Sequence, residues 1–183
     1  MTTVANADTA ISLTKTFMAA PLPHEAACSI ASFARPADAT PYAVGDVVSV
    51  TGAAAALIFP GCGAGGFVVG ASLVVAETDT ADFDLFLFDA EPTNFADNAP
   101  LALVAADQPK LLGVLRFLTG AKVNVGTNLE IYRAVSAGTD QAVPKIAYVT
   151  TAGSIYGLLV TRSVYTPISA CKFVIRLGLE RNG

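Results

Sequence analysis

The sequence predicts an all-β fold: a β-sandwich or jelly roll of about ten short strands, with an extended N-terminal arm and one short helix. Three observations carry this. Apolar residues recur with period two, or in short runs, from Ala26 to the C-terminus. Clusters of Gly, Pro, Asp, Asn and Ser divide those runs at close intervals. Only one stretch, Pro100 to Lys110, carries helix-like spacing.

The elements are justified in chain order. Residues 1–25 read as an arm, because Pro21-Leu22-Pro23 favours extended chain and blocks helix continuation. Residues 26–183 read as the sandwich domain. Ser29 to Phe33 is the first strand candidate, and Arg35-Pro36-Ala37-Asp38 and Val44-Gly45-Asp46 are turns before Val47 to Val50. Val47 to Ala76 contains no charged residue, but Pro60 and the glycines of Gly61 to Gly66 would break a spanning helix. Its two pieces, Ala53 to Phe59 and Phe67 to Val75, are strand-sized and read as a buried hairpin-like pair.

Asp84 to Asp89 is apolar on both faces and bounded by acids, as a central strand would be. Leu101, Leu103 and Val104 mark one side of the expected helix, which Pro109 should end. Gly113 to Phe117, Leu129 to Val135, Ile146 to Thr150 and Ile155 to Thr161 are further strands. The last segment is the clearest: Cys171, Phe173, Ile175, Leu177 and Leu179 point one way, while Lys172, Arg176 and Glu180 share the other face.

Composition narrows the function. The chain has 183 residues, 53% hydrophobic and only 14% charged, which excludes intrinsic disorder and suggests that part of the surface is covered by partners. A net charge of −4 argues against nucleic acid as a partner. No signal peptide and no membrane span are expected. Charge divides unevenly: Lys15 and Arg35 stand against twelve acids up to residue 109, a balance of −10, whereas the remainder carries +6. Such a division suits complementary surfaces between subunits, or charges scattered over a solvated surface.

No motif points to catalysis, a metal or a cofactor. Gly61-Cys62-Gly63-Ala64-Gly65-Gly66 matches GxGxxG, but Phe67 to Ala71 directly after it alternate like a strand, whereas a dinucleotide site needs a helix N-terminus. His24 is the only histidine and lies in the arm, a poor place for a catalytic base. Asp79, Asp82, Asp84 and Asp89 crowd one region, yet they flank an apolar strand and read as solubilising gatekeepers rather than calcium ligands. Cys28, Cys62 and Cys171 read as small buried residues in a reducing compartment.

Several phrases together resemble the capsid cement or decoration proteins of tailed bacteriophages. They are Phe33 to Val47, Gly70 to Val74, Phe83 to Thr93, Ile155 to Val160, and Tyr165 to Ser169. The resemblance covers roughly Ser29 to Leu179. It implies a non-enzymatic virion protein, made in the host cytoplasm, that binds the outside of the capsid shell and bridges capsomers. Its partners would be the major capsid protein and further copies of itself, as a dimer or trimer. A tail or connector protein, or a jelly-roll carbohydrate-binding module, is the alternative; with no Trp and five Tyr, the last has few rings to offer a sugar. Candidate interface residues are Phe17, Met18 and Leu22 in the arm, and Arg133 and Arg162 on polar strand faces.

Overall fold

A computed structural model describes residues 24–50, 55–77, 81–93, 95–136 and 145–182. The fold is all-β, with ten strands: β1 (His24–Ala34), β2 (Val47–Val48), β3 (Leu57–Phe59), β4 (Gly65–Val75), β5 (Phe83–Phe88), β6 (Leu111–Gly126), β7 (Leu129–Ser136), β8 (Ile146–Val149), β9 (Ile155–Thr161) and β10 (Lys172–Asn182). The one helix among the described residues is a 3-10 turn at Ala105–Lys110. The strands form a single curled sheet in the order β1-β10-β4-β7-β6-β5-β9-β2, with β3 also on β9 and β8 also on β4. Every pairing is antiparallel.

The β6–β7 hairpin divides this path into two four-stranded halves, β1-β10-β4-β7 and β6-β5-β9-β2. With β2 and β3 counted as one broken strand and β8 as a side branch, the count is that of a jelly roll. Rings meet across the two halves: Phe83 of β5 lies edge-on to Tyr132 of β7 at 6.1 Å and to Phe173 of β10 at 6.0 Å between centroids. Phe33 of β1 stacks on Phe173 at 5.1 Å.

Alternation explains the core. Phe173, Ile175, Leu177 and Leu179 are buried and point inward, while Lys172 and Arg176 on the other face of β10 are exposed. Each such burial stabilises the fold by about 1.5–3 kcal/mol. β5 is central, paired with β6 and β9, and both its faces are covered, one by the main core and one by a second apolar cluster. Phe83, Leu85 and Leu87 enter the main core, whereas Phe88 joins a second cluster with Val47, Leu158 and Val160 on the outer side. At Gly157 of β9 a Cβ would come within 2.9 Å of the Phe59 ring and 3.1 Å of Leu85, so glycine makes room for the inward side chains of the strands that pair with β9.

Five expectations change. The helix spans only Ala105–Lys110 and contains Pro109. Residues 101–104 are extended because Leu101 N donates to Gly45 O, and Val104 is exposed. Leu57–Phe59 and Gly65–Val75 are not a hairpin; they pair with β9 and with β10, β7 and β8. The glycine loop between them is instead tied to other elements, by Cys62 N to Gly153 O and by Tyr148 Oη to Cys62 O. His24 and Glu25, assigned to the arm, are the first pairs of β1 with β10. Cys28 is exposed, since it lies on the outward parity of β1. Asp84 is no gatekeeper: it is buried within β5, held by arginines.

Candidate interaction surface

The two halves of the sheet have different outer faces. Over β5, β9 and β2 the connection from Asp89 to Lys110 folds back as a cap. Phe95, Leu101 and Leu103 of the cap pack on Val47, Phe88, Leu158 and Val160. Its base is closed by Asp89 N to Lys110 O at 3.0 Å. Asp107, fully buried by surface area, accepts from Thr93 N at 3.0 Å and bonds Lys110 Nζ at 3.2 Å. Burial works to raise the Asp107 carboxyl, but the Thr93 and Lys110 donors outweigh it and hold the group below the usual carboxylate range.

The outer face of β1, β10, β4 and β7 carries no such cap among the described residues. Its residues are small or short: Ala26, Cys28, Ser32 and Ala34 on β1 are exposed, and Gly178 and Gly70 lie side by side on β10 and β4. The missing side chains leave an open depression of about 730 Å³, lined by Cys28, Val69, Ser72, Arg133, Arg176 and the glycines. The ladder aligns Ile30, Arg176, Ser72 and Arg133 in one row across four strands. Arg176 and Arg133 are therefore two strand spacings apart, about 10 Å, with the Ser72 hydroxyl between them. Neither arginine has an ion pair among the described residues; Glu180, four residues further along β10, pairs with Lys145. Two guanidinium groups flanking a hydroxyl can receive a carboxylate or another oxyanion.

Arg162 is elsewhere. It comes directly after β9, on the other half of the sheet, and its Nε is 3.3 Å from Asp84 Oδ2; Arg116 Nε holds the other oxygen at 2.9 Å. The structure therefore does not bring Arg133 and Arg162 together. Arg176 is the residue that joins Arg133, and its only sequence signal was its place on the polar face of the last strand. Phe17, Met18 and Leu22 lie outside the described residues. The uneven charge along the sequence is partly closed within one subunit, since Asp84 with Arg116 and Arg162, Asp107 with Lys110, and Glu25 with Arg181 each join the acidic and basic stretches.

A buried polar clasp ties together residues 35–42, Glu77, Asp97 and 165–168. Arg35 is wholly buried; its Nε donates to Tyr42 Oη at 3.0 Å and its Nη2 lies 2.9 Å from Asp38 and 3.5 Å from Asp97. Tyr42 Oη donates to Asp97 Oδ1 at 2.6 Å, and its ring stacks on Tyr165 at 5.5 Å. Tyr165 Oη donates to Glu77, which also accepts from Ile168 N at 2.8 Å. Two of the phrases that carry the resemblance, Phe33 to Val47 and Tyr165 to Ser169, thus meet here. Burial, aided by the adjoining carboxylates, pushes both phenols up, so they remain donors.

The remaining candidates have structural surroundings. Burial pushes the Cys62 and Cys171 thiols up, which keeps them protonated and poorly nucleophilic. The glycine loop enters β4, a strand, so no helix N-terminus faces it. Asp82 accepts from Thr119 N at 2.7 Å, and Asp79 lies outside the described residues. Among the described residues no group of three His, Cys, Asp or Glu side chains could hold a metal, and no helix is long and apolar enough to cross a membrane. Compared with family models, with curated proteins and with solved structures, the chain matches none.

Proposed function

We propose that this protein is a non-enzymatic structural component of a tailed-bacteriophage virion, which binds the outside of the capsid shell as a homo-oligomer and stabilises it by bridging capsomers. The observation that carries the reading is the uncapped outer face of β1-β10-β4-β7, low in charge and shallow, with Arg133 and Arg176 lacking acidic partners among the described residues. A partner surface presenting carboxylates beside small apolar groups fits it. The low charge fraction of the whole chain supports the same reading, because a surface meant to stay in water carries more.

Such a subunit works by repetition. A single contact of about 1 mM contributes only about 4 kcal/mol. Two or three contacts on one oligomer act at high effective concentration and together bind far more tightly. Copy number per virion tests the proposal. Hundreds of copies, with shells that lose heat resistance when the protein is stripped, are expected. A handful of copies would assign it to a tail or connector, and absence from purified virions would overturn the reading.

A further inference from the structure

We infer that the uncapped face of β1-β10-β4-β7 is a docking site for an extended acidic segment of another protein, in which one carboxylate stands between two bulky apolar side chains at alternate positions. The inference rests on the proposed function and deepens it by naming what the partner must carry.

Outward side chains form adjacent rows across the strands. In the first row Gly178 of β10 pairs with Gly70 of β4 on one side and with Cys28 of β1 on the other. These small residues lie in the open depression of about 730 Å³. In the second row Arg176 and Arg133 stand on either side of Ser72. The third row is aliphatic: Val174, Val74, Ile131 and Val123 are successive cross-strand partners on β10, β4, β7 and β6. Val123 is 62% exposed and the other three are half-buried.

The spacing of the rows sets the pattern of the partner. Gly70, Ser72 and Val74 follow one another at two-residue steps along β4. Each step is about 6.7 Å, the interval at which any extended segment presents the side chains of one face. Laid along β4, such a segment puts one side chain in the depression, the next between the arginines and the third on the valines. The order it needs is apolar, acidic, apolar, with one residue between each.

Charge selects the central position. The outward bases of this face are Lys145, Lys172, Arg176 and Arg133, and its outward acid Glu180 is held by Lys145. The other three bases have no ion pair among the described residues. An unpaired cationic row on a chain of net charge −4 attracts carboxylates and repels basic surfaces. The two guanidinium groups and the Ser72 hydroxyl can hold one carboxylate by charge-assisted hydrogen bonds. The hollow on one side and the aliphatic row on the other favour a peptide over a phosphate chain, which has no apolar side chains to put there. Within this chain the pattern occurs only at Val44 to Val48, where Asp46 and Val48 are buried, so the partner is a different protein.

The test is a titration of the isotopically labelled full chain, at low salt, with the end-blocked peptide Thr-Leu-Thr-Glu-Thr-Leu-Thr, followed by amide chemical shifts. Saturable shifts confined to residues 70–74, 131–133 and 174–178 are expected. Replacing the peptide's Glu by Gln should weaken binding about tenfold, as should Arg133→Ala or Arg176→Ala. Gly70→Leu probes the apolar half. A Cβ there meets nothing within 4 Å and the backbone φ is not positive, so the variant fills the depression without strain. It should weaken binding and keep the melting temperature. Absence of saturable shifts at millimolar peptide, or shifts centred elsewhere, would overturn the proposal. So would equal binding of the Gln peptide, equal binding of a peptide of the same composition with Glu moved to one end, or binding unchanged in both arginine variants. The titration uses isolated protein, so absence from virions would refute the shell assignment and leave the site standing. High copy number in virions without peptide binding would do the reverse.

Discussion

The two outer faces of the sandwich are built from the same kind of sheet yet finished differently. Over β5 and β9 the outward residues are large and apolar, Phe88, Leu158 and Val160, and the chain spends the Asp89 to Lys110 connection covering them. Over β1, β10 and β4 the outward residues are Cys28, Ser72, Gly70 and Gly178, with arginines at 133 and 176, and no described segment lies on top. A face that needs shielding for stability is shielded from within. A face that is tolerable in water, but poor in charge, carries no cap among the described residues. Under the proposed function, stability belongs to the capped side and association to the uncapped one.

Substitutions should separate the two. The largest effect is expected from Phe88→Ala, which empties the space beneath the cap and should cost about 3–5 kcal/mol in chemical denaturation. A cost below roughly 1 kcal/mol would mean the cap does not shield a second core. Next comes Asp84→Asn, which leaves Arg116 and Arg162 without their shared carboxylate. Because both arginines reach solvent, the loss should be roughly 1–2 kcal/mol, less than for a fully buried pair.

Acid should loosen the cap by a smaller amount. Asp107 has a folded pKa below its unfolded value of 3.8, so its contribution is present above that value and disappears as pH falls through the depressed one. Amide exchange within residues 95–110 should therefore accelerate selectively at such pH, and Asp107→Asn should remove the pH dependence. The smallest effect on stability belongs to Arg176→Ala and Arg133→Ala, under about 0.5 kcal/mol each. If the comparison is sound, these same variants lose shell binding at low salt. Wild-type binding by both would show that the uncapped face is not the contact.

All ten strands were legible in outline, because alternation and turn chemistry are local properties. β10 declares its inner and outer faces residue by residue, and β5 declares itself central by being apolar on both. The site was only half legible. Arg133 could be placed on a polar strand face, and Arg176 on another, but nothing local says that Ser72 lies between them. Arg162 looked equivalent to Arg133 until Asp84 was found beside it. β6 also runs far past Phe117, because its hairpin with β7 continues to Gly126 after β5 has ended.

By itself, then, the sequence determined the class of fold, the number of strands and the parity of each side chain along its strand, since these depend on neighbours one or two residues away. The tertiary structure alone decided which strands are adjacent, which face receives a cap and which strands end the sheet. Those outcomes depend on register between segments such as Ile30, Arg176, Ser72 and Arg133, dozens of residues apart. Register is chosen by how the whole core packs, so no single segment carries that information.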